Sequence, residues 1–123
     1  MFEQDYIMRM IKEMVRTILK LVFHIETDSP SAELLENEEE RELLEELLDM
    51  ADNGDISRAE SRLKALPDGS LMLELLFYSY LNDKTDEFLE AGGFSRENIR
   101  LGLDQVMERH GLDGIAGVLL KDL

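Results

Sequence analysis

The sequence predicts an all-α protein, and three observations predict it. Apolar residues recur at steps of three and four along most of the chain, with almost no strand-like alternation. Leu, Met and Glu are abundant, only two prolines occur and tryptophan is absent, a composition that favours helix over sheet. Capping residues and glycines punctuate the chain at helix-length intervals. With 123 residues and 44% hydrophobic content, the chain is the size of one domain and can bury about two-thirds of the surface its unfolded form exposes. The expected architecture is a long amphipathic N-terminal helix plus a compact array of short stacked helical hairpins.

The first element is the helix of residues 1–25. Ile7, Ile11, Met14, Ile18, Leu21 and Ile25 alternate at steps of four and three, which keeps them in one narrow sector. Met8, Val15 and Val22 widen this seam on one side and Met10 on the other, so more than one neighbour is needed to cover it. Arg9, Lys12, Arg16 and Lys20 gather on the opposite side.

Residues 26–37 read as a linker, because Asp28, Ser29, Pro30 and Ser31 are turn formers and the apolar stripe stops there. Residues 38–123 form the helical-hairpin domain. Asn37 with Glu40 resembles a capping box, so a helix starts near Glu38 and buries Leu44, Leu47, Leu48 and Ala51. Gly54 suits the left-handed position that ends this helix, and Asp55 can cap the next, which carries Ile56, Ala59, Leu63 and Leu66. Ser70 caps a helix over SLMLELLFYSYLND that is apolar all round and therefore buried. Thr85 caps a short helix closed by Gly92 and Gly93, Ser95 caps one that runs to Gly111, and Asp113 opens a last one. Gly114 and Gly117 weaken that last helix, so docking must hold it.

Charge narrows the classes of function. Net charge is −15, yet residues 1–25 carry four Lys/Arg against three acids, so they contribute +1 and the rest of the chain −16. Between Glu33 and Asp49 nine acids face the single Arg41. Such a protein repels a phosphate backbone, which argues against nucleic-acid binding. Arg16 and Lys20 interrupt the first apolar run, against both a signal peptide and a spanning helix. With no cysteine, there is no disulfide framework, no thiolate nucleophile and no Cys-ligated metal, and the composition fits the cytoplasm.

No catalytic constellation emerges. His24 and His110 stand alone, with no partner at metal-ligand spacing, and Glu108 falls on a different side of a helix from His110. Asp49, Asp52, Asn53 and Asp55 around Gly54 lack the alternating spacing and terminal Glu of a calcium loop, and helix capping explains them better. Phe77, Tyr78 and Tyr80 read as core before they read as a ligand pocket. The expectation is no enzyme activity, no metal and no cofactor.

Gly54, Asp55, Ile56, Ala59 and Leu63 resemble the inter-helix turn and second helix of a tetratricopeptide repeat, so the array is expected to be tetratricopeptide-like. The first-helix aromatic positions of that family are not matched, and its peptide-binding groove is not implied. The opening MFEQDYIMRMIKEMVRTILKLVF resembles a family of short bacterial proteins, mainly from Firmicutes, of unknown function. That resemblance implies a bacterial, intracellular, stand-alone domain and brings no activity or site residue.

Two functional readings follow. The first is a non-catalytic interaction or self-association module. In it Ile7, Ile11, Met14, Ile18 and Leu21, with Arg9, Lys12, Arg16 and Lys20, meet a second copy in a homodimer or another helical protein. Within this reading the seam either pairs between chains or packs on its own domain, with the basic face answering the acidic helix from Glu38 to Asp49. The second is a peripheral membrane protein whose basic helix lies on anionic lipid, although cations opposite the apolar face suit lipid poorly.

Overall fold

The computed structural model describes residues 2–67 and 69–114, with side chains from Asp5 onward. Over these residues the chain is all-α: α1 spans Phe2–Phe23, α2 Glu38–Asp52, α3 Ile56–Lys64, α4 Leu71–Asn82, α5 Asp86–Ala91 and α6 Arg96–Arg109, with one 3-10 turn at Ala32–Leu34. The helix expected from Asp113 lies, beyond Gly114, outside the described residues.

Most starts follow the capping logic of the sequence. The side chains of Asn37, Ser70, Thr85 and Ser95 accept from the backbone N–H three residues on, and Ser95 with Asn98 closes a reciprocal box. Two details differ. Glu40 does not complete the box with Asn37, because its carboxylate accepts from the Ser70 hydroxyl at the start of α4 instead. Asp55 makes no side-chain cap. Its backbone N–H donates to Met50 O at 2.9 Å and Gly54 N–H to Ala51 O at 3.0 Å, so the α2–α3 turn is held by the left-handed Gly54, at φ +92°.

Helix α4 sits at the centre. Met72 through Tyr78 are consecutively buried, and α1, α2 and α6 pack around it while α3 pairs with α2. The polar contacts give the directions. Arg96 at the start of α6 reaches Asn82 at the end of α4, and Arg109 at the end of α6 reaches Glu74 near its start, so the two helices are antiparallel. Asn82 Nδ2 donates to Met8 O, and Ser79 shares a cavity with Lys12 and Arg16, so α1 also runs antiparallel to α4. Helix α2 runs parallel to α4, since Glu40 meets Ser70 and Asp52 meets the Tyr80 hydroxyl. Helix α1 contributes to the body: its Ile7, Ile11, Met14 and Ile18 belong to the same hydrophobic core as Leu47, Leu75 and Leu103.

Gly102 sets the approach of α6. A Cβ there would clash with the Tyr78 ring, which is fully buried and packed edge-on against Phe77 at 5.3 Å. Gly102→Ala is expected to destabilise the fold by about 2 kcal/mol through overpacking. Urea unfolding measures it, and an unchanged midpoint would show that α6 can retreat.

At the end of α1, His24 adopts φ +59°, with its N–H on Lys20 O and that of Ile25 on Leu19 O. This is the left-handed close that glycine makes without strain. His24→Gly is expected to raise stability by roughly 0.5–1 kcal/mol in the same assay.

Candidate functional site

The predicted partner residues divide into two sets. Ile7, Ile11, Met14 and Ile18 are 0–7% exposed within the chain's own core. Arg9, Lys12, Arg16 and Lys20 are exposed on the outer side of α1, and Leu21 is 54% exposed where the helix outruns its cover. The basic face does not answer α2. Instead the segment after α1 folds back: Arg16 pairs with Asp28 at 3.6 Å as well as with Glu13 at 3.4 Å, and Lys20 pairs with Glu26 at 3.5 Å. The reason is proximity, since Glu26 and Asp28 follow directly from the reversal at His24, whereas α2 lies against α4. A cavity of about 230 Å³ remains between α1, this segment and the end of α4, lined by Lys12, Arg16, Thr27, Asp28, Ser79 and Asp83 among others.

Sequence reasoning missed the polar groups inside the body. Arg96, 4% exposed, donates Nη1 to Asn82 O at 2.6 Å and Asn82 Oδ1 at 3.1 Å, Nη2 to Lys84 O at 2.6 Å and Nε to Asp86 Oδ1 at 3.0 Å. The bound Asn82 then donates to Met8 O at 3.0 Å, inside the wall of α1. One guanidinium therefore locks the α4–α5 turn, α6 and α1. Only the Ser95 cap beside it hinted at a special position.

Near the other end of α4, Glu74 is fully buried and takes both terminal nitrogens of Arg109, at 2.6 and 3.2 Å, with His110 Nε2 3.7 Å away. A turn further along, the Tyr78 hydroxyl donates to Glu60 Oε2 at 2.8 Å, and Lys64 stands 3.7 Å from the same oxygen. Burial above all, and then the charge of Glu60, push the Tyr78 hydroxyl well up, so it acts as a donor and does not ionise. A lone acid in an otherwise apolar helix was the available sign of Glu74. At the end of α2, Asp52 accepts from Tyr80 and pairs with Lys84 at 3.1 Å, and the Lys84 ammonium lies over the Tyr80 and Phe88 rings. Hydrogen bonding to Tyr80, and then to Asp52, raises the Lys84 pKa.

These clusters hold elements together. Among the described residues, every buried side-chain nitrogen or oxygen has a hydrogen-bond partner. Among them, no group of three or more His, Asp or Glu converges as metal ligands.

One surface has no such internal answer. Glu38, Glu42, Glu45 and Asp49 line the side of α2 opposite Leu44, Leu47 and Ala51 and are exposed. Arg41, the cation of this helix, turns inward to Leu35 O, and Arg62 of α3 is taken by Glu46 at 2.7 Å. Among the described residues no ion pair reaches those four acids.

The profile of a family of unknown function, DUF6483, matches residues 1–111, which covers α1 through the close of α6. The chain belongs to that family. No curated protein and no solved structure matches it. Among the described residues no helix is long and apolar enough to cross a membrane.

The buried Glu74 pair makes a direct prediction. Arg109→Ala leaves the buried carboxylate without its guanidinium and is expected to cost about 2–3 kcal/mol. Glu74→Met releases the half-exposed Arg109 to water and is expected to stay within about 1 kcal/mol of the parent chain. Equal losses in thermal unfolding would contradict this asymmetry.

Proposed function

We propose that this protein acts without catalysis, by associating with another protein through the outer face of α2. The carrying observation is the row of Glu38, Glu42, Glu45 and Asp49, aligned on one side of a firmly packed helix and unanswered by any described cation. A rigid row of like charge attracts and orients a partner with a basic face, chiefly by speeding encounter. Two partners offer such a face: a second copy, whose Arg9 and Lys12 are exposed, and another helical protein with a basic side. The buried polar clusters support a non-catalytic reading, because each carries a contact between elements.

Geometry gives the membrane alternative less support than the sequence did. The cations of α1 share their surface with Glu13, Glu26 and Asp28, two of which the following segment brings up, so that surface is not a basic stripe. Most of the apolar seam that would enter lipid is buried in the core.

The test replaces the row with neutral isosteres: Glu38→Gln, Glu42→Gln, Glu45→Gln and Asp49→Asn together. Exposed acids opposite the core are expected to leave the melting temperature unchanged or slightly raised, since like charges are removed. Association, followed by light scattering for self-association and by co-purification from the native cell for another protein, is expected to weaken with salt in the parent and to be lost in the variant. Partners retained by the variant in both measurements would overturn the proposal.

A further inference from the structure

Three elements wall the cavity of about 230 Å³ beside α1. Helix α1 contributes Lys12, Val15 and Arg16, the segment after it Thr27 and Asp28, and the end of α4 Asp83.

The charges on these walls are not all answered. Arg16 is held between Glu13 at 3.4 Å and Asp28 at 3.6 Å. Lys12 and Asp83 line the same space from α1 and from α4, and among the described residues no ion pair engages either. One ammonium and one carboxylate are thus left over on different walls. A neighbouring hollow of about 320 Å³ makes the contrast. Its charged residues are Arg16, Lys20, Glu26 and Asp28, and these pair with one another, Arg16 with Asp28 at 3.6 Å and Lys20 with Glu26 at 3.5 Å. That hollow is electrically complete, whereas the cavity beside it is not.

The leftover pair decides the class of ligand. A simple anion would meet Lys12 but bring a like charge to Asp83, and a simple cation would do the reverse. A zwitterion answers both, with its carboxylate on Lys12 and its ammonium on Asp83. Thr27 Oγ1 accepts from Ser29 N–H at 3.1 Å, which leaves its own hydroxyl proton to donate, and Ser79 lines the cavity with a second hydroxyl. Val15 and Pro30 add apolar wall for a short aliphatic side chain. The volume lies below the roughly 300–1,000 Å³ of sites for drug-sized ligands, which fits a ligand of small amino-acid size.

We propose that this cavity binds a free aliphatic α-amino acid, held between Lys12 and Asp83. The inference goes beyond association through α2 and does not rest on the acidic row of that helix, so either can fail alone.

Thermal unfolding of the full chain with millimolar alanine, serine, valine or leucine tests it. At least one of them is expected to raise the melting midpoint saturably, by roughly 3–8 °C at about ten times its Kd. Isovalerate and isobutylamine keep the side chain of valine but carry one charge each, and both are expected to leave the midpoint unchanged. Lys12→Gln and Asp83→Asn, at exposed positions, are expected to melt near the parent and to bind the amino acid at least about tenfold more weakly. In the parent chain the amide signals of Thr27, Asp28 and Ser79 are expected to move with added ligand. The proposal is overturned if none of the four amino acids shifts the midpoint, or if either single-charge analogue shifts it as far as valine does. Full binding by both variants, or amide changes confined to other parts of the chain, would also overturn it.

Discussion

A helix buried on every side needs each polar group it carries to be answered from within the protein, and α4 sets that condition for the whole chain. Its run from Met72 to Tyr78 contains no exposed residue, so there is no solvated face to receive Glu74 or the Tyr78 hydroxyl. Water is replaced by Arg109 from α6 and Glu60 from α3. Each answer comes from a different element, and each therefore fixes where that element lies. The neighbours of α4 are placed by polar registration as much as by hydrophobic contact.

The end of α4 shows the same constraint in stronger form. Asn82 is buried and must spend both its amide and its carbonyl groups, which it does on Met8 O and on Arg96. Arg96 in turn has more donors than Asn82 can take, and the surplus goes to Lys84 O and Asp86. A planar guanidinium with fixed donor directions suits this role, whereas a lysine would supply one point charge. The registry between α1, α4 and α6 is thus held from one side chain, and Gly102 lets α6 come close enough for Arg96 and Arg109 to reach α4 together.

The elements were legible in the sequence because their signals are local. Asn37, Ser70, Thr85 and Ser95 mark starts that depend only on a side chain and a backbone N–H three residues on. The all-round apolar character of Leu71–Asn82 marked the central helix for the same reason. What stayed hidden was long-range. Nothing near Arg96 says that Asn82, fourteen residues earlier, will need it, and nothing near Glu40 says that Ser70 will compete for its carboxylate. The seam of α1 was visible as a stripe, but its cover depends on how α4 and α6 run, which no periodicity encodes.

The charges of α1 follow the same division between local and distant. On the helical wheel its four cations look like one basic face in search of acid, and α2 is the obvious acid. The chain resolves this sooner: His24 turns it back in a left-handed conformation, and Glu26 and Asp28 reach Lys20 and Arg16 within a few residues of the turn. Closing a loop this short costs little entropy compared with bringing up a helix from further along the chain. With Arg16 and Lys20 engaged near the turn, α2 packs through Leu44, Leu47 and Ala51 and through the bonds of Glu40 and Asp52 to α4, and the row of acids on its opposite side faces outward. The acidic surface therefore follows from the side of α2 that its buried residues occupy, and the reversal at His24 gives two cations of α1 a nearer answer.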